Sequence, residues 1–495
     1  MKKMYKLASL LLTFTLLFGM LGLTARAEED DYIDWEAIDG DVVPISAPIV
    51  HYEKLADILN GLGLFLGTPS GYQLERAPNR AEAAVMLVRL LGVENEVKAG
   101  TYEHPFTDVP DWADKQVGYM YENGLTKGTS ASLYSSFLPC EAKMYVTFML
   151  RALGRAEDEG IGFTYDTAVT DAVEHLLLDT GLAAGLANKE FLRDDMVAVS
   201  FCALTAGVDG VGGIRLIDKL VDDGAVAPDK AAACEDEFGA YAAYRKAALL
   251  NARATDLDAS MIMNINMDAY GTKMNEHAEI SIQAEGMDDP ETAKMKMELS
   301  VKGHSVSPTT TTDMEMSMAA YLKDGWLYLS VDTLNADTVK QKADMHPLFE
   351  ELAGVFSTQT QSLILGLSPS NILTADLMSF TETDDGATAV YDLGVPFTVK
   401  YDNEGRLMEM TIIQDTSSDM DEFALDMTMD VAYTYNYPEG GVKVDLSGLV
   451  ESDFTEVSFE DLGGNLLGGS TLSGLLVFAL SSTTITTESY GDAVD

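Results

Sequence analysis

The sequence predicts a multidomain chain. An all-α module of helical repeats comes first, and an α+β domain follows in which a curved antiparallel sheet is covered by helices. Three observations carry this expectation. A G-L-x-x-G signature recurs three times in the first 206 residues, each time between two stretches of helical periodicity. From about Leu257 the apolar period changes to two, the spacing of a half-buried strand. The chain has 495 residues, and a single hydrophobic core seldom serves more than ~250.

The N-terminus reads as a leader. Lys2, Lys3 and Lys6 form a positive start, Leu7 to Leu23 is apolar, and Ala25-Arg26-Ala27 supplies the small residues of a cleavage site before Glu28. The apolar run is also long enough to remain in a bilayer, but the cleavage site directly after it favours removal. Residues 1–27 are therefore expected to be a signal peptide and 28–50 an acidic linker, which places the mature chain outside the cell.

The repeats come next. Gly63-Leu64-Phe65-Leu66-Gly67, Gly124-Leu125-Thr126-Lys127-Gly128 and Gly181-Leu182-Ala183-Ala184-Gly185 share one form. A helix-like stretch precedes each of them (Leu55 to Leu62, Trp112 to Asn123, Ala168 to Thr180). A second apolar helix follows each (Arg80 to Leu91, Met144 to Leu153, Asp194 to Ala206). Gly63, Gly124 and Gly181 are expected to stop a helix in the left-handed region, and Gly67, Gly128 and Gly185 to let the turn pass close to its neighbour. Units this short bury their apolar faces only by packing together.

The second unit carries a fuller pattern. Phe106-Thr107-Asp108-Val109-Pro110-Asp111-Trp112-Ala113 precedes the glycine turn, then come Phe137-Leu138-Pro139 and Leu150-Arg151-Ala152-Leu153-Gly154. The first unit adds Asn79-Arg80-Ala81-Glu82. This resembles the surface-layer homology (SLH) repeat, F-x-D-V-x-x-x-W-A followed by G-L/I-x-x-G, F-x-P and T-R-A-E. The likeness covers about 51–92, 104–154 and 162–206. It implies non-covalent anchoring to secondary cell-wall polysaccharide, often pyruvylated, in grooves between repeats. Departures are plain: the second unit has Cys140-Glu141-Ala142-Lys143 in place of T-R-A-E, and the first and third lack the F-x-D-V opening.

Carried over residue by residue, the resemblance gives Arg80, Glu82, Asp108, Trp112, Lys143 and Arg193 as wall-polymer contacts. Arginine presents a planar fork to a carboxylate, and an indole presents a flat surface to a sugar ring. Plainer roles stand beside these. Trp112 can cap the core, Asp108 can cap a helix N-terminus, and Arg89 and Arg151 suit helix C-termini. Arg80 opens a helix, where a cation is unhelpful to the dipole.

Residues 207–256 read as a helical connector, with a break at Gly207 to Gly213 and helices over Ile214 to Val221 and Lys230 to Leu250. Period two then marks Met261, Met263, Ile265 and Met267; Met295, Met297, Leu299 and Val301; and Met314, Met316 and Met318. Asp324-Gly325 and Asn403-Glu404-Gly405 mark hairpin turns. Further strands are expected at Val395 to Tyr401, Leu407 to Ile413 and Phe423 to Tyr437. His346 to Leu365 and Asn371 to Phe380 are expected to be helices covering the sheet. Tyr321-Leu322-Lys323-Asp324-Gly325-Trp326-Leu327-Tyr328 and the alternation around it resemble lipoprotein-carrier-like domains of the LolA/LppX type. That implies a curved sheet over helices and an apolar cavity within about 257–460. Methionines on such a face suit variable apolar guests, and equally an ordinary packed core. Residues 461–495, uncharged from Leu462 to Leu480, read as a Gly/Ser/Thr-rich tail.

A net charge of −48 opposes nucleic-acid partners and anionic headgroups. No P-loop, dinucleotide fingerprint, G-x-S-x-G or H-E-x-x-H occurs, and the six histidines are dispersed. The expectation is a non-enzyme without cofactor or metal. Cys140, Cys202 and Cys234 lack metal spacing; either two pair in an oxidising exterior or all three are core residues. Two function classes stay open. One is a wall-anchored protein whose C-terminal domain holds a hydrophobic ligand or protein partner. The other is a structural surface-layer component that assembles with itself.

Overall fold

The computed structural model describes residues 50–458 and Leu462, apart from 156–162, 175–176, 179, 188, 210–213, 253, 270–271, 288, 290, 335–336, 349–368 and 421–422. The leader, the acidic linker up to residue 49, and the tail save Leu462 lie outside the described residues, as does most of the helix expected over His346 to Leu365. The described chain forms two compact units. One runs up to Arg245 and takes in the short stretch 369–375; the other comprises the rest from Lys246 onward. Helices fill the first and an open, mixed sheet of 12 strands fills the second.

The helical unit begins with α1 (Glu53–Gly61), α2 (Arg80–Leu90), α3 (Glu94–Ala99), α4 (Asp114–Glu122) and α5 (Ala142–Ala152). It continues with α6 (Ala168–Glu174), α7 (Thr180–Ala187), α8 (Arg193–Leu204), α9 (Leu216–Asp222) and α10 (Pro228–Ala232). Helix α11 spans Glu235–Ala252, and α12 (Pro369–Thr374) packs on α7. The order of packing is cyclic. Helix α4 packs on α2, α6 on α5, and α1 on α8, so the first helix of each repeat covers the second helix of the one before, and the first repeat closes on the third. Leu59, Leu87, Met120, Met149, Leu150 and Val197 are fully buried in this shared core. No repeat could bury these residues alone.

A common turn follows each first helix. Leu64 and Phe65 amides donate to the Leu59 carbonyl (2.9 and 3.2 Å), and those of Leu125 and Thr126 to that of Met120 (2.8 and 3.3 Å). Gly63, Gly67, Gly124 and Gly128 adopt φ of +82°, +68°, +70° and +73°. Gly128 is the most constrained, since a Cβ there would lie 2.3 Å from Phe106 Cε1 and 2.7 Å from the Leu133 carbonyl oxygen.

The third turn corrects the sequence reading. Gly181 and Gly185 lie inside α7, and the paired amides belong instead to Leu177 and Leu178, donating to the Ala172 carbonyl (2.8 and 3.1 Å). Alanine and leucine are strong helix formers, and burial of Leu182, Ala183 and Leu186 holds α7 together despite its glycines. Ala225 and Val226 repeat the geometry against the Leu220 carbonyl (2.9 and 3.0 Å), so the connector contributes a fourth turn of the same form.

The sheet unit contains β1 (Leu257–Ala269), β2 (Thr272–Glu285), β3 (Lys294–Ser307), β4 (Thr310–Lys323), β5 (Trp326–Thr333) and β6 (Val339–Asp344). After them come β7 (Asp376–Thr383), β8 (Gly386–Asp392), β9 (Pro396–Asp402), β10 (Leu407–Met420), β11 (Phe423–Tyr435) and β12 (Thr455–Glu456). Their order is β12-β6-β5-β4-β3-β2-β1-β11-β10-β9-β8-β7. Two antiparallel meanders thus meet where β1 pairs with β11, and β12 pairs with β6 in parallel. Asp324 (φ 48°) and Gly325 (φ 71°) form the β4–β5 turn with both residues left-handed, as a two-residue hairpin requires.

The helix expected over Asn371 to Phe380 is half wrong. Helix α12 ends at Thr374, and Phe380 belongs to β7, opposite Ala389 of β8. Phe380, Thr381 and Thr383 suit a strand, and Asp384-Asp385 closes the hairpin with Thr383 paired to Gly386. Helix α12 also belongs to the helical unit, so it is not one of the sheet's own covering helices. No disulfide joins Cys140, Cys202 and Cys234; the first two are buried and Cys234 partly so.

Candidate functional site

The N-termini of the second helices bring two clusters of the expected residues together. The Arg80 amide donates to the Leu138 carbonyl and that of Ala81 to Ser136, so α2 begins against the loop of the second repeat. Arg193 and Asp194 amides meet the Arg76 and Leu74 carbonyls in the same way, so α8 begins against the loop of the first. Arg80 and Arg193 therefore hold equivalent first-turn positions. In α5 that position is Ala142, with Lys143 one residue later. The motif arginine is therefore missing from the second unit, and Lys143 stands one residue beyond its place.

Each arginine ties two repeats. Arg193 Nε donates to the Tyr72 carbonyl (2.8 Å), Nη1 reaches Glu82 Oε1 (3.0 Å), and the guanidinium lies over the Phe65 ring. Its relative exposure is 4%. Glu82 also receives Arg76 through both terminal nitrogens (3.0 and 2.6 Å) and caps the Asn79 amide (2.9 Å). Asn79 returns a bond to the Glu82 amide, completing a capping box. Burial pushes the Glu82 carboxyl up, but Arg76, the Asn79 amide and Arg193 outweigh it and hold it below the usual carboxylate range. Arg193 and Glu82 are thus committed to each other, and a ligand could engage Arg193 only by breaking this network.

The second cluster is more open. Arg80 Nε donates to the Tyr134 carbonyl (2.9 Å), and its guanidinium lies 5.0 Å from the Tyr134 ring centroid and beside Met144 Sδ. Lys143 Nζ lies 4.8 Å from the Tyr165 centroid and 3.1 Å from Asp166 Oδ1. Burial above all, with Glu141, pushes the Tyr165 phenol up against the pull of Lys143 and Arg80. Asp108 braces the cluster from behind, accepting the Tyr134 and Ser135 amides (2.8 and 2.7 Å). Burial raises its carboxyl, and these amides with that of Ser136 more than reverse the effect, so it stays ionised below the usual range. Trp112 is 51% exposed; among the described residues no hydrogen bond or ring contact ties it to either cluster. Arg89 and Arg151 reach the turn carbonyls of their own repeats, Leu64 (3.5 Å) and Leu125 (2.6 Å), and so are internal braces.

Tyr134, Tyr165, Met144 and Arg76 were not read from sequence. One signal for them existed: Tyr72 precedes Arg80 by the same interval as Tyr134 precedes Ala142.

In the sheet unit, register assembles the methionines. Met261 pairs with Ile280 and Tyr433, Met263 with Ala278 and Val431, and Met267 with Met274 and Met427. Met297 continues this face opposite Ile282, and Met316 opposite Val301. Directly paired residues share a side of the sheet, so one apolar face runs from β5 through β1 to β9. Among the described residues no helix is long and apolar enough to cross a membrane, and no cluster of His, Cys, Asp and Glu could hold a metal ion.

No protein-family model matches the chain, and no curated protein matches it. Among solved structures it is similar to the crystal structure of a DUF1329 family protein from Desulfovibrio piger ATCC 29098, at 11% identity, over 43% of this chain and 98% of that one. The TM-score is 0.17, too low to carry an argument about fold or function.

Proposed function

We propose that this is a non-enzymatic bacterial cell-surface protein whose helical unit binds secondary cell-wall polysaccharide. The sheet unit would then be displayed outside the cell, offering its apolar face to a hydrophobic ligand or a protein partner. The observation that carries the reading is the cyclic packing of three helix–turn–helix repeats, with SLH-like residues at the junctions. The apparent leader at 1–27 supports export. At the Arg80–Lys143 cluster, two cations and the exposed Tyr165 ring match an acidic sugar, whose carboxylate seeks charge-assisted donors and whose ring face stacks on an aromatic. In a chain of charge −48 such attraction works only at short range, since distant charges are screened.

Lys143 gives a clean test, because its ion pair with Asp166 is on the surface and such pairs add little to stability. Lys143→Ala is expected to weaken binding to purified walls roughly tenfold, the scale of one charge-assisted hydrogen bond, with an unchanged melting temperature. Lys143→Arg should retain binding, and Lys302→Ala in the sheet unit should not alter it. Undiminished binding by Lys143→Ala would remove this cluster from the contact surface.

A further inference from the structure

After β11 the chain crosses the ends of six strands before pairing again. Asn436 bonds Asp258, the Val442 amide donates to Asp256 Oδ2, and that of Val444 to Glu285 Oε2. The segment then reaches the far edge strand. There Glu451 meets Lys323 Nζ (2.5 Å), Asp453 meets Lys340 Nζ (3.2 Å), and Phe454 sets its ring edge-on against Tyr328, with centroids 5.3 Å apart. Strand β12 adds only Thr455 opposite Gln341 and Glu456 opposite Lys342, and the Val457 amide donates to the Lys342 carbonyl (3.0 Å).

We infer that Glu451 to Val457 is an exchangeable docking segment, filling the β6 edge of its own sheet or the same edge of a second copy. The site is a basic ridge, Lys323, Lys340 and Lys342, with Tyr328 as an aromatic platform beside open backbone. The occupant is its complement: Glu451, Asp453 and Glu456 around a single Phe454. Most of the occupant is exposed, and it fills two residues of a six-residue edge. None of its contacts depends on belonging to the same chain, which is the condition for low-cost strand exchange. Gly448 precedes it, and seven extended residues from there to Thr455 reach about 23 Å. The local tether favours the closed form, since a short flexible linker supplies its end at an effective concentration on the order of 1 mM. Exchange therefore belongs to crowded conditions, and it is independent of whether the helical unit binds a wall polymer.

Gln341→Cys with Thr455→Cys in the full chain places a thiol on each side of the β6–β12 pair. Oxidation at about 1 µM should give an internal cross-link. Near the effective concentration of about 1 mM covalent dimers should become a major product, and neither substitution alone should form them. Internal cross-linking alone at every concentration would overturn exchange; no cross-link at all would overturn the pairing; equal dimers from either substitution alone would overturn exchange as their source. As a second readout, a labelled peptide of residues 450–457 should bind the Phe454→Ala chain more tightly than the wild type, and salt should weaken it by screening. Equal affinity for both chains would contradict the inference.

Discussion

Glu82→Ala is expected to destabilise the helical unit by about 3–5 kcal/mol, the range for removing one partner of a buried ion pair. The effect is large because three roles end together. Arg193 loses its carboxylate while remaining buried, Arg76 loses a two-pronged partner, and the Asn79 amide loses its cap. A guanidinium stays charged at any ordinary pH, so the stranded charge has no way to neutralise itself. Adding Arg193→Met should recover much of the loss, because replacing a buried pair by apolar groups is often neutral or better. Urea melts followed by helical circular dichroism would check both; a cost below about 1 kcal/mol would contradict the network's role. The pH dependence has a definite sign. The folded pKa of Glu82 is depressed, so its contribution is complete above the unfolded value of roughly 4.3. It disappears as pH falls through the lower folded value. Glu82→Gln should flatten that acid limb.

In the sheet unit, Met263→Ala is expected to cost about 2–5 kcal/mol, as for other buried large-to-small changes, while Ile262→Ala should stay within about 0.5 kcal/mol. The two residues are neighbours in β1, so the contrast isolates the face and not the strand. Met263 is fully buried, flanked by Ala278 and Val431; Ile262 is 44% exposed, between Glu279 and Ala432. Similar costs at both sites would mean that the apolar face is not the buried one.

Much of this fold was legible in the sequence because its signals are local. Met261, Met263, Ile265 and Met267 announce a strand and its dry side by alternation alone, and Asp324-Gly325 fixes a hairpin through the φ its residues must adopt. Motif glycines were less reliable: Gly181-Leu182-Ala183-Ala184-Gly185 has the composition of a turn but becomes α7, because neighbouring packing decided between two permissible conformations. Phe380 was misread for the reverse reason, since its helical spacing gave way to pairing with β8, which is invisible until the strands are ordered. The candidate site was half legible. Arg80 and Arg193 were found by motif, but their binding to loop carbonyls of another repeat depends on how the cycle closes. Of the two alternatives for the second unit, an absent arginine or Lys143 in its stead, the helix start decides for absence, since Ala142 holds the arginine's place.

The most direct test of the wall-binding account is co-sedimentation of the purified protein with cell walls before and after their secondary polysaccharide is stripped. Saturable binding to intact walls, lost on stripped ones, is the expected result. Equal sedimentation with both would contradict it.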